Sequence, residues 1–185
     1  MRCTTLGRDG DRNVATTANL IAAVDGFVAA KKTVYGIEKP FQWARGYSQY
    51  EVVVKFPLEI NGELSSAARL EIVGFPQATD LKFRLCLCFS AAVARLDYTD
   101  ETHANTRCLA EDGLPASVTG PHYHSWVLNR QFFKGAAIAP KLHNAKPFDM
   151  TARFDSILRW FCADTNIEPL PAGHVIALPS RDRLL

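Results

Sequence analysis

The sequence predicts an α+β fold, a curved antiparallel sheet of four to six strands flanked by an N-terminal and a C-terminal helix. Three observations carry this. Over Leu81 to Phe89, Leu81, Phe83, Leu85, Leu87 and Phe89 alternate with Lys82, Arg84, Cys86 and Cys88, the period of a strand. Its neighbours of strand character follow one another on short links, which makes an antiparallel meander. Helical spacing recurs on either side of this block.

In chain order, residues 14–31 read as a helix, with Leu20, Ile21, Val24, Phe27 and Val28 at helical spacing and Asn13 or Thr16 as its cap. Residues 35–49, with Gly36, Pro40 and Gly46, read as irregular connecting chain. Tyr50 to Phe56 is the first strand, and the Asn61-Gly62 turn leads into a second near Arg69 to Phe75. Pro76 to Asp80 makes another turn, Leu81 to Phe89 is the third strand, and Ala92 to Tyr98 the fourth. Residues 99–120, rich in Asp, Thr, Asn, Gly and Pro, read as a long loop. His122 to Leu128 is a short strand that rejoins the sheet. Phe154, Ile157, Leu158 and Phe161 form the apolar stripe of a helix of about three turns. The tail after Asn166, with Pro169, Pro171 and Pro179, reads as extended chain or a short edge strand. The whole is one domain, 1–185: helix and connection over 1–49, sheet over 50–130, helix and tail over 131–185.

Composition is that of a globular chain, 48% apolar and 22% charged, and long enough at 185 residues to bury a core without a staple. A net charge of +2 does not by itself demand a polyanionic partner. No stretch approaches the roughly 18 apolar residues of a membrane span, and Met1 to Asn13 lacks the apolar core of a signal peptide. Cys3, Cys86, Cys88, Cys108 and Cys162 are odd in number and scattered, which points to reduced thiols and a cytoplasmic protein without membrane contact. Cys86 and Cys88 read as small buried apolar groups.

The chemistry concentrates in two segments, Arg95-Leu96-Asp97-Tyr98 with His103-Ala104-Asn105, and Gly120-Pro121-His122-Tyr123-His124-Ser125-Trp126. On a strand His122 and His124 share a face, and a loop leaving the neighbouring strand can bring His103 beside them. Two chemistries are open to such a cluster. One is acid–base catalysis of RNA cleavage, metal-independent: one imidazole takes the 2′-hydroxyl proton and another protonates the leaving oxygen. Arg95, Arg107, Arg130 or Lys134 would steady the phosphorane, and Tyr123 or Trp126 would stack a base. The other is a zinc site on His103, His122 and His124, with Asp97 or Asp100 as alternative third donor to the His-x-His pair. A third reading is a binding protein without chemistry, a phage or mobile-element factor that inhibits a host defence complex, with Trp43 and Phe132-Phe133 as anchors or, more simply, as core. His143 and His174 read as surface or packing residues, and Lys82 and Arg84 as a solvated strand face. The chain has no Gly-rich phosphate loop, nucleophile elbow or dinucleotide fingerprint, which sets kinase, hydrolase-fold and Rossmann functions aside.

The run Arg95-Leu96-Asp97, His103-Ala104-Asn105-Thr106 and Gly120-Pro121-His122-Tyr123-His124 resembles an uncharacterised family of small prokaryotic proteins with His-x-Asn-Pro followed by Pro-His-x-His. More distantly it resembles TumE-like toxins of toxin–antitoxin pairs. The likeness covers roughly residues 70–168, including the helix from Phe154 and its Asn166-Ile167 ending. Thr106 replaces the family's proline, and Arg107 to Thr119 is a long insertion. The resemblance implies an endoribonuclease-type activity restrained by an antitoxin partner. It also implies a site of His103, Asn105, His122 and His124. In that site His122 and His124 are the acid–base pair, Asn105 and His103 orient rings or substrate, and Arg95 neutralises phosphate.

Overall fold

The computed structural model describes residues 9–37, 41–106, 113–133, 142–171 and 174–179, with side chains from Thr17 onward. The first helix, α1, spans Asp9–Ala29. It starts earlier than the apolar spacing predicts, so Asn13 and Thr16 lie within the helix and not at its cap. Val24 and Phe27 are buried, with Leu20, Ile21 and Val28 packed against the core. The helix ends at Ala29, and Lys32, itself fully buried, folds its ammonium back onto the carbonyls of Phe27, Val28 and Ala30 at 2.8, 3.1 and 2.6 Å. Those are among the carbonyls a helix end leaves without intrahelical donors. Burial draws the Lys32 ammonium down to about 8.

Two short strands follow, β1 (Lys32–Val34) and β2 (Ala44–Arg45), where only helix end and irregular chain were expected. Both pair with β3 (Val52–Ile60), at its two ends. The turn at Asn61-Gly62 forms as predicted, both residues at positive φ (53° and 87°), the backbone that Asn and Gly tolerate in a two-residue hairpin. Next come β4 (Glu63–Gly74), β5 (Phe83–Phe89) and β6 (Ala91–Tyr98), each antiparallel to its predecessor. The loop expected over 99–120 carries a two-stranded arm, β7 (Thr102–Ala104) with β8 (Ser117–Thr119). The next strand, β9, is shorter than predicted, His122–His124 only. Ser125 ends it, because its hydroxyl accepts from the Leu128 amide and caps α2 (Trp126–Asn129), followed by a 3-10 turn over Arg130–Phe132. A last strand, β10 (Lys146–Pro147), pairs with β9. Helix α3 (Phe154–Asp164) buries Phe154, Ile157, Leu158, Phe161 and Cys162. After it, Ile167 bridges in parallel to Lys32 at the opposite sheet edge.

The fold is thus α+β, and among the described residues the main sheet has the order β1-β3-β4-β5-β6-β9-β10, with β2 beside β3. It does not close. Its two faces differ in chemistry because side chains alternate along each strand. One face carries Val54, Phe56, Leu58, Leu70, Ile72, Phe83, Leu85, Leu87, Leu96 and Tyr123 into the core against α1 and α3. Fully burying each of the larger of these contributes roughly 1.5–3 kcal/mol. Trp43 and Phe133 join this core rather than standing out as anchors. No helix among the described residues is long and apolar enough to cross a membrane.

Candidate functional site

The other face of the sheet holds the polar constellation, and strand register explains its order. Arg84 on β5 lies opposite Asp97 on β6, and Asp97 opposite His122 on β9. One step along, Arg95 lies opposite His124. Directly opposed residues share a face, so these five side chains form two adjoining rows. The β7–β8 arm then brings His103 over them. Ring centroids are 5.4 Å apart for His103 and His122, 4.5 Å for His103 and His124, and 5.2 Å for His122 and His124. One ring nitrogen of each histidine lies within 4.8 Å of the others. His122 and His124 are buried, His103 half-buried.

Main-chain carbonyls orient all three rings. Nδ1 of His122 donates to the Gly120 carbonyl at 2.7 Å, Nδ1 of His124 to the Asn144 carbonyl at 3.0 Å, and Nε2 of His103 to the His143 carbonyl at 3.0 Å. A carbonyl only accepts, so each of these nitrogens must carry a proton. The remaining nitrogens, Nε2 of His122, Nε2 of His124 and Nδ1 of His103, are the ones open to other chemistry.

Asp97 sits at the centre with its side chain only 5% exposed. Its Oδ1 accepts from Arg84 Nε at 2.5 Å and its Oδ2 from Arg95 Nε at 2.7 Å. The same Oδ2 faces Nε2 of both His122 and His124 at 3.3 Å. Burial pushes the carboxyl upward, but His122 and the charges of Arg95 and Arg84 outweigh it and hold Asp97 well below the usual carboxylate range.

The two buried histidines are biased in opposite directions. Burial drives His124 down to about 4. Arg95 Nη2 stands 2.9 Å from Nε2 of His124, and a guanidinium only donates, so that nitrogen presents its lone pair. Its approach to Asp97 is therefore a lone pair facing a carboxylate. Burial opposes charge on His122 as well, but Asp97 and the Gly120 carbonyl raise it above the ordinary histidine value.

Of the residues singled out from sequence, His103, His122, His124, Arg95 and Asp97 come together. Asn105 joins through the backbone: its Nδ2 donates to the Pro115 and Ala145 carbonyls at 2.7 and 2.9 Å, and its Oδ1 accepts from the Ala145 amide at 2.7 Å. It fastens the arm that carries His103. Tyr123, Trp126 and Arg130 do not join. Tyr123 alternates onto the apolar face and donates to Asp164 at 2.5 Å. Trp126 is buried, its Nε1 donating to Asp25 at 2.7 Å, and Arg130 holds the same carboxylate through Nε and Nη2. These are links between α1 and the segment after β9, away from the three rings. Asp100 pairs with Lys82 at 2.7 Å and makes no contact with the rings that the structure shows. Arg107 and Lys134 lie outside the described residues.

Two parts of the site were not anticipated. Arg84, expected on a solvated face, belongs to the Asp97 cluster. The stretch His143–Ala145 acts as a bracket: its successive residues bond His103, His124 and Asn105. Asn129 fixes the bracket in turn, accepting from the Asn144 amide at 2.8 Å and donating to the Asn144 carbonyl at 3.0 Å. No motif marks that stretch, since its work is done by main-chain atoms.

No protein-family model matches the chain, and neither a curated protein nor a solved structure is detectably similar to it.

Proposed function

We propose that this chain is a metalloprotein whose His103, His122 and His124 hold one divalent transition-metal ion of the zinc class. The observation that supports this most is that each ring has one nitrogen tied to a main-chain carbonyl, leaving its second nitrogen unprotonated when the ring is neutral. Fixing the tautomer from outside in this way is the habit of metal-ligating histidines. Burial also favours an ion over a large substrate, because His124 is fully enclosed. Three nitrogen donors leave a fourth position, and Asp97 Oδ2 is the carboxylate at hand to fill it or to orient what does. Tetrahedral bonds of about 2.0–2.1 Å imply ligand separations of about 3.3 Å; one nitrogen of each ring lies within 4.8 Å of the others, so closing on an ion takes shifts of up to about 1.5 Å. Metal analysis of the purified protein tests this: about one equivalent per chain is expected, lost with His103, His122 and His124 replaced by alanine. A chelator-stripped chain that takes up neither zinc nor cobalt refutes it.

A second reading is metal-independent RNA cleavage in the cytoplasm, the activity that the resemblance to TumE-like toxins implies, with an antitoxin as partner. What favours it is the opposite bias of the two buried histidines, a neutral His124 as base and a charged His122 as acid. In this reading Arg95 meets the phosphate and the arm bearing His103 lifts to admit the strand. Incubation with total RNA, with and without chelator, separates the two. Cleavage that survives chelation and disappears in the His122→Ala, His124→Ala double variant supports the second reading over the first.

A further inference from the structure

We infer that Arg95 is the placeholder of the metal centre: its guanidinium occupies the ion's position toward His124 and Asp97, and an incoming ion evicts it. The inference rests on the metal reading above and adds the residue that governs occupancy. Arg95 bridges two of the donors an ion would draw on, with Nη2 at 2.9 Å from the His124 lone pair and Nε at 2.7 Å from Asp97 Oδ2. A nitrogen lone pair serves one cation at a time, so coordination by His124 requires that Nη2 leave. Coulomb repulsion adds to this, since a divalent ion and a guanidinium within a few ångströms of one another repel strongly in a buried site.

The surroundings permit the exchange. The Arg95 side chain is 26% exposed and can turn outward, whereas His124 is enclosed and Asp97 nearly so. Arg84 keeps its own bond to Asp97 Oδ1, so the carboxylate is not left without a counter-charge when Arg95 departs. Arg84 has no contact with a ring nitrogen that the structure shows, which makes it the internal control. In the metal-free protein Arg95 completes the site electrostatically; in the loaded protein it becomes a tethered cation beside the ion.

The test is a cobalt(II) titration of the chelator-stripped full chain, followed by the visible d–d bands, in wild type, R95M and R84M. The expected result is binding about 10- to 100-fold tighter in R95M, the range over which partners of metal ligands shift affinity, with no such gain in R84M. Bands in R95M but none in wild type are the same result at its extreme. Equal or weaker binding in R95M overturns the inference, and so does an equal gain in R84M, which marks general relief of positive charge. Absence of bands in every variant refutes the metal reading itself. The wild type supplies a measurement that depends on no substitution: the protected Nε–H resonance of Arg95 should vanish or shift when zinc is added. An unmoved resonance at saturating zinc overturns the eviction even if R95M does not fold.

Discussion

Replacing Asp97 by asparagine isolates the electrostatics of the site. The carboxylate is held by Arg84 at 2.5 Å and by Arg95 at 2.7 Å and faces Nε2 of His122 and His124 at 3.3 Å, with its side chain 5% exposed. Asparagine keeps the shape but offers one acceptor where two are needed, and its NH2 group would face a guanidinium. Two half-buried arginines would then share no anion. Breaking a buried ion pair typically costs about 3–5 kcal/mol. Both arginines are 26% exposed and regain some water, so the low end, about 3 kcal/mol, is the expected loss for the metal-free protein. In a chain of this length each kcal/mol moves Tm by about 2–4 °C, so D97N should melt about 6–12 °C below wild type near neutral pH. The pH dependence has a definite sign. The folded carboxyl lies below its ordinary value, so its stabilisation is complete above about pH 4 and is lost as pH falls towards the folded pKa. The gap between wild type and D97N should therefore narrow below about pH 4. Thermal melts of the two proteins, stripped with chelator, measure both effects. A loss under about 1 kcal/mol at pH 7 would refute the assignment of Asp97 as the shared counter-ion.

Other outcomes follow from the same contacts. In metal-free protein His124 should contribute stability that is complete above about pH 6.5 and falls by up to about 3 kcal/mol as pH drops to 4, because burial holds it neutral; in H124Q, urea melts across that range should lose this slope. Asn105→Ala removes three hydrogen bonds to the backbones of residues 115 and 145, two of them buried, and should cost about 2–3 kcal/mol and weaken cobalt binding about tenfold through the loosened His103 arm. Unchanged affinity in N105A would detach that arm from the centre. Burial pushes the Cys88 and Cys162 thiols up to about 11 and 12, and Cys86 higher still, so a chain with Cys3 and Cys108 replaced by serine should resist a thiol reagent at pH 8 until denaturant is added.

Much of the fold was legible because it rests on periodicities that survive tertiary packing. The alternation through β5, the Asn61-Gly62 turn and the stripe on α3 state their own structure, and each forms in place. What failed was short or capped. The strand expected to run to Leu128 stops at His124 because Ser125 caps a helix, and the residues beyond it, Trp126 and Arg130, turn towards Asp25 of α1. A contact between positions 25 and 126 leaves no trace in local pattern. Tyr123 was misplaced for a related reason: it lies between two site histidines in sequence, and alternation puts it on the opposite face. At the site, the histidines carried their own chemical signal. The carbonyls that orient two of them belong to His143 and Asn144, and main-chain oxygens are the same in every residue.

The bracket at His143–Ala145 makes assembly of the centre a late event. It orients rings that lie 40 and 20 residues earlier in the chain. A growing polypeptide would expose every histidine of the cluster well before that stretch emerges, yet two of the three would lack the carbonyls that orient them until it docks. Competence therefore arises as a step, coupled to closure of long loops. On the metal reading, a product truncated just before His143 would retain the whole motif and take up cobalt far more weakly than the finished fold.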